Sequence, residues 1–213
     1  MSDDVQTGFL VLADISGFTA FVTATELEHG AQITARLLEE VMGQLTPPFE
    51  IQELEGDAVF ALGPDRAVGD ERVLPVLLDA FAAFKTEQKR LADDHGCACG
   101  ACRGVPALDL KLVTHHGRFV RQTVGGRSRV AGPDVILVHR LLKNPVGGTA
   151  YLLLTVPALE RVGTHRLLAD GRRLVVRYAH FGDVPCFVAD LAHELRNVDG
   201  PAIAPGALAL FPA

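Results

Sequence analysis

The 213-residue sequence predicts an α+β domain, with one largely antiparallel sheet covered by helices. Three observations predict it. Apolar, β-prone runs such as GFLVLADI (8–15) alternate with long stretches of helical apolar spacing. Several of the strand-like runs come as hairpins, not as strands each followed by a helix. The length and a hydrophobic content of 48% suit one well-buried core and are short for two domains.

The elements follow in order. The run 8–15 ends on Asp14 and a glycine-containing turn, as a buried strand does. A helical stretch from about 16 to 45 carries Ile33, Leu37, Leu38, Val41, Met42 and Leu45 on one face. Gly30 is expected to divide it into two helices. Residues 47–62 read as a hairpin turning at Glu55, Gly56 and Asp57. A second long helix spans about 70–92, with Val73, Leu74, Leu77, Leu78, Phe81 and Phe84 as its stripe. Residues 93–104 are a loop by composition. Residues 107–124 are strand material that ends at the Gly125–Gly126 turn. Helical spacing returns over 133–143 through Val135, Val138, Leu141 and Leu142, and Pro145 stops it. A strand (150–155), a short helix (157–162) and two more strands (near 173–180 and 185–191) complete the domain, expected to span 1–195. Residues 196–213, rich in Pro, Gly and Ala, are expected to form a surface tail.

Charge narrows the partners. The formal net charge is −6, so no basic excess points to nucleic acid or an anionic membrane. No apolar run approaches the ~20 residues that span a bilayer. The acidic start MSDDVQTG does not read as a secretory signal. A cytoplasmic protein is the resulting expectation.

Chemistry concentrates in LADISGFTAF (12–21) and LEGDAVFAL (54–62). Asp14 falls where a strand ends and a helix begins, with backbone N–H groups free from Ser16 to Phe18. Asp57 falls in a tight hairpin turn. If the two strands are neighbours, both carboxylates converge on one sheet edge beside free donors, which makes a Mg²⁺–polyphosphate site. Either aspartate alone has an ordinary explanation, as a helix cap or a turn residue.

The pair together, D-I-x-G-F-T followed by G-D-x-x-x-A, resembles the metal-binding signature of class III adenylyl and guanylyl cyclases. The likeness runs along nearly the whole chain. LKLVTHHGRFV (110–120) resembles the family's strand ending in His-x-Gly, and VAGPDVILVHRLL (130–142) its Gly-Asp-x-Val-Asn-x-x-x-Arg helix. TAYLLLTVPALERV (149–162) and RYAHFGDVPCFVADL (177–191) resemble the strand, helix and hairpin that close the fold. Within the superfamily the chain is similar to a bacterial branch with a Cys-x-Cys-x-x-Cys insertion. The resemblance implies a ferredoxin-like class III cyclase fold, Mg²⁺ or Mn²⁺, a nucleoside triphosphate, and a head-to-tail homodimer with its site between subunits. It makes Asp14 and Asp57 metal ligands with the Ile15 carbonyl beside them. Ser16, Gly17, Phe18 and Thr19 would cradle phosphate, and Arg140 would stabilise charge on the α-phosphate. The family's metals activate a ribose hydroxyl that displaces pyrophosphate and forms a cyclic nucleotide.

The departures fall on catalysis and base choice. Ile136 stands where the family has its transition-state Asn, one helical turn before Arg140, and an isoleucine donates no hydrogen bond. Pro133 replaces an aspartate. Glu53 occupies the base-reading position, where glutamate accompanies guanine, but its partner position is Arg129, so the two can simply pair. Asn144, one turn beyond Arg140, is a substitute for the missing Asn or a helix C-cap. Three functions therefore stay open: a cyclase, a catalytically silent nucleotide-binding module, and a metal- or redox-responsive regulator.

The third arises from CACGAC. Of four cysteines, Cys97, Cys99 and Cys102 cluster behind His95, and Cys186 stands apart. Clustering without a secretion signal points away from a disulfide framework. Three thiolates and the His95 imidazole suit a structural zinc site; ordinary or redox-sensitive thiols are the alternative. His115 is expected to pack at its strand end and His116 to be solvated.

Overall fold

The computed structural model describes residues 5–94, 96–97 and 99–194, so the expected tail at 196–213 and His95 lie outside the described residues. In chain order the elements are β1 (Gln6–Ser16), α1 (Phe18–Ala24), α2 (Leu27–Leu45), β2 (Glu50–Glu55), β3 (Ala58–Pro64), α3 (Asp70–Asp93), α4 (Gly100–Gly104), β4 (Asp109–Val124), β5 (Arg127–Ala131), α5 (Pro133–Leu141), β6 (Tyr151–Thr155), α6 (Val156–Leu159), β7 (Arg172–Tyr178), β8 (Gly182–Asp190) and α7 (Leu191–Glu194). One eight-stranded sheet has the order β2-β3-β1-β4-β6-β8-β7, with β5 paired to β4. Every pairing is antiparallel except that of β4 with β6. The fold is α+β, as the hairpin-rich pattern predicted.

β1 sits between β3 and β4, and its continuous apolar run follows from burial on both faces. Alternation sends Phe9, Val11, Ala13 and Ile15 into the larger core, under α2 and α3. Leu10 and Leu12 face the other way, with Phe60, Leu137, Val138 and Leu141, under α5. By the same alternation Asp14 lies on the α5 face.

Two expectations change. Gly30 does not divide the first helical stretch; the break falls at Thr25–Glu26, and Gly30 is buried inside α2. A Cβ on Gly30 would stand 3.1 Å from Thr25 Oγ1 and 3.6 Å from the Phe21 ring, so the glycine serves close approach of α1 and α2. The Cys-rich segment is not wholly loop either. It forms α4, because the Glu26 carboxylate accepts from the N–H groups of Gly100 and Ala101, each at 3.1 Å. Those bonds satisfy the free donors at a helix start.

Candidate functional site

The strand register assembles the carboxylates. β1 pairs Asp14 with Ala58 on one side and with Lys111 on the other. The Ile15 N–H donates to the Asp57 carbonyl at 3.2 Å, which latches the β2–β3 turn to the end of β1. The Asp57 carboxyl is pushed up from its ordinary value, first by burial and then by the neighbouring Asp14 charge. Its own backbone N–H and Lys111 pull the other way. Lys111 Nζ stands 2.7 Å from Asp14 Oδ2, and both side chains are largely buried. Sequence reasoning missed this lysine. Its signal was its place on the strand that pairs with Asp14.

Beyond Asp14 the chain turns sharply. Gly17 takes φ +85°, and a Cβ there would lie 3.0 Å from the Ala107 carbonyl oxygen, so both conformation and space call for glycine. The first helical bond of α1 runs from the Phe21 N–H to the Gly17 carbonyl at 3.0 Å. The N–H groups of Phe18 and Thr19, ahead of that bond, have no carbonyl within the helix to meet. Ser16 Oγ is buried without a hydrogen-bond partner among the described residues.

The residues expected to touch base and α-phosphate gather around β2, β5 and α5. Glu53 and Arg129 pair across 3.6 Å at the edge of a polar cavity of about 260 Å³ that His139 also lines. His139 reaches Glu55 Oε1 at 3.0 Å and sets its ring edge-on to Phe60. Ile136 is 54% exposed, and Arg140, one turn on, is exposed on the same helix. Asn144 is not free to replace the missing Asn. Its amide donates to the Leu141 carbonyl at 2.7 Å and to the Tyr151 hydroxyl at 2.9 Å, and its Oδ1 accepts from the Val146 N–H. It closes the turn after α5, the C-terminal role sequence allowed.

The two neighbouring histidines are both structural. His115 is buried between Thr155 Oγ1, at 2.8 Å, and Asp134 Oδ1, at 3.3 Å; burial pushes its pKa down. Asp134 also accepts from the Arg118 N–H and fills the space over Gly117, where a Cβ would lie 2.5 Å from Asp134 Oδ2. That contact explains the glycine of His-x-Gly. His116 is not solvated, contrary to expectation. Its side chain is 11% exposed, bonded to Asp65 at 2.9 Å and packed edge-on against Phe9.

A second donor cluster lies across α1. Cys97, Cys99 and Cys102 meet His29, in the first turn of α2, and the four ligand atoms lie within 4.8 Å of one another. The sequence offered no spacing that joins position 29 to the CACGAC run; only folding α2 under it does. The Cys99 thiol is drawn down to about 6, chiefly by the Cys102 backbone N–H and then by His29. The Cys102 thiol is pushed up to about 12, first by its contact with Cys99.

The fold is that of class III nucleotidyl cyclase domains. It is similar in structure to the guanylyl cyclase Cya2, with a TM-score of 0.69 and 17% identity over 89% of this chain and 93% of that one. It is similar also to the adenylyl cyclase CyaB from P. aeruginosa, with a TM-score of 0.67 and 14% identity over 88% and 95%. At these identities the likeness is one of fold. The family model described as "Protein of unknown function (DUF2652)" matches residues 34–151, more than half of the chain, and the chain belongs to that family. An uncharacterized Mycobacterium tuberculosis protein, Rv2561/Rv2562, is 36% identical over 126 residues, 57% of this chain and 56% of that protein. The chain therefore spans little more than half the length of that curated relative.

Proposed function

We propose that the chain binds a nucleoside triphosphate together with Mg²⁺ or Mn²⁺ at Asp14 and Asp57, in a site completed by a second copy of the chain. The observation that carries this reading is geometric: β1 pairs Asp14 with Ala58, and the Ile15 N–H donates to the Asp57 carbonyl at 3.2 Å, so the two aspartates sit at adjoining ends of β1 and β3. That arrangement is costly when empty and relieved by a divalent cation. The donor set fits a hard cation, being two carboxylates with the Ile15 carbonyl close by. When bound, the metal would neutralise phosphate charge and polarise the α-phosphate.

The chain's own residues supply the rest. The turn Ser16–Gly17–Phe18–Thr19 offers backbone N–H groups to phosphate oxygens. Lys111, bridging to Asp14, moderates the negative field before a ligand arrives. Arg140 is exposed and able to meet an α-phosphate across a subunit boundary. Leu27 is 85% exposed and Leu54 53%, and both line an apolar groove of about 530 Å³ between α2 and the β2–β3 turn. That surface supports a homodimer contact beside Asp57.

Binding without fast turnover is the form of the reading that the residues favour. Ile136 offers no donor to the transition state, and the Glu53–Arg129 pair satisfies itself instead of reading a purine. The test is calorimetric titration of the full chain with non-hydrolysable ATP, GTP, CTP and UTP analogues, each with Mn²⁺. Heat with at least one is expected, and none with any would sink the proposal. In parallel, Ile136→Asn should leave affinity within about twofold and raise any cyclic-nucleotide formation, because one such donor is worth ~10²–10³ in rate.

A further inference from the structure

His29 stands in the first turn of α2, and CACGAC lies after α3, yet their donor atoms meet. His29 Nδ1 is 3.3 Å from Cys99 Sγ and 3.6 Å from Cys97 Sγ, and Cys99 Sγ is 3.4 Å from Cys102 Sγ. A tetrahedral zinc with Zn–S ~2.3 Å and Zn–N ~2.0–2.1 Å sets its ligand atoms about 3.8 Å apart for S–S and about 3.6 Å for S–N. The donors already stand near those separations. A disulfide would need ~2.05 Å, and the cysteines are free.

We propose that His29, Cys97, Cys99 and Cys102 form a closed structural zinc site. Three thiols and an imidazole in a tetrahedral array select zinc over hard cations, and four protein ligands leave no open position for catalysis. Binding releases the thiol protons. The surroundings are those of a built site. The Cys102 N–H points at Cys99 Sγ at 3.4 Å, and the Glu26 carboxylate pins the Gly100 and Ala101 N–H groups over the start of α2. The segment that is fastened this way buttresses α1. A Cβ on Gly104 would lie 3.0 Å from the Phe21 ring, and one on Gly100 3.3 Å from the Ala24 carbonyl oxygen. The fourth ligand in this proposal is His29, from the start of α2; the sequence-adjacent His95 lies outside the described residues.

The test uses the full chain, purified under reducing conditions without a His-tag. Elemental analysis should find about one zinc per chain. Metal-free protein titrated with Co²⁺ should develop the visible bands of tetrahedral cobalt and thiolate-to-cobalt charge transfer. His29→Ala changes an exposed helical position, so the fold survives, and it should weaken Co²⁺ binding by more than the roughly 10–100-fold that losing an outer partner costs. Cys99→Ser should weaken the charge-transfer band, leaving the part due to Cys97 and Cys102, and His95→Ala should change nothing. A protein that is purified without zinc and gives no tetrahedral cobalt spectrum overturns the proposal. So does His29→Ala with unchanged affinity and bands, or loss of binding in His95→Ala alone. No nucleotide enters these measurements, so they stand or fall apart from the triphosphate reading.

Discussion

The carboxylates at the end of the sheet and the thiols beside α2 are assembled by opposite means. Asp14 and Asp57 are brought together by the β1–β3 register, which sets Asp14 opposite Ala58, and by the Ile15 N–H bond to the Asp57 carbonyl. The pair has a neighbouring cation, Lys111, which offsets part of the repulsion between the two carboxylates. The thiol cluster is brought together by packing a helix start against a short segment after α3, with Glu26 as the clasp. Its Cys99 thiol is drawn down by a backbone N–H and an imidazole. Hard donors on a sheet edge suit a ligand that comes and goes, whereas soft donors joining two distant segments suit a resident ion.

The largest effect that sharpens this contrast is thermal. Stripping metal from the thiol cluster should lower stability by about 3 kcal/mol, or roughly 6–12 °C in Tm for a chain of this size. The loss stays well below a zinc finger's because the chain keeps its own core, and unfolded cysteines also bind metal. Scanning calorimetry with and without a strong chelator checks it. An unchanged transition would erase the difference between the two regions.

At the carboxylates the sign should reverse. Asp57→Asn should abolish the Tm rise that Mn²⁺ and a triphosphate give, a rise worth ~2.7 kcal/mol at a hundredfold excess over Kd. Without ligand the same variant should be more stable than the parent at pH 7, by no more than about 1 kcal/mol after allowing for solvent screening. The sign follows from linkage. The folded-state pKa of Asp57 is raised above its ordinary value, so the folded protein holds the proton more tightly than the unfolded chain does. Stability from this group is present below the unfolded value and is lost as pH rises through the folded one. The advantage of the Asp57→Asn variant should therefore shrink as the pH falls toward the ordinary aspartate range. Chemical denaturation at about pH 4 and pH 7 measures it, and a larger advantage at the lower pH would contradict the assignment.

A further effect concerns Lys111. Lys111→Met removes an ammonium 2.7 Å from the Asp14 carboxylate, so on the proposed reading Mn²⁺ alone should bind tighter, on the order of tenfold. Titration calorimetry with Mn²⁺ reads it. Weaker binding would mean that Lys111 organises the site instead of competing for it.

Local pattern determined much of this protein. The apolar run of β1, the Glu55–Gly56–Asp57 turn and the apolar stripes of α2 and α3 are all legible because each depends on neighbours in the chain. The two aspartates were legible because their strand-to-helix and hairpin-turn settings are local too. What the sequence could not reveal is those contacts between distant segments that no motif marks. The break at Thr25–Glu26 instead of Gly30 depends on how α1 meets α2. The packing of His116 under Asp65, the capture of Asn144 by Tyr151, and Lys111 beside Asp14 all need the sheet to exist first. His29 is the sharpest case. Nothing near position 29 marks it as a partner of CACGAC, and only the tertiary structure, by laying α2 beneath the segment after α3, sets its imidazole among three thiols. Strand register and helix periodicity are encoded residue by residue, but a donor set drawn from two distant segments of a domain is decided by packing alone.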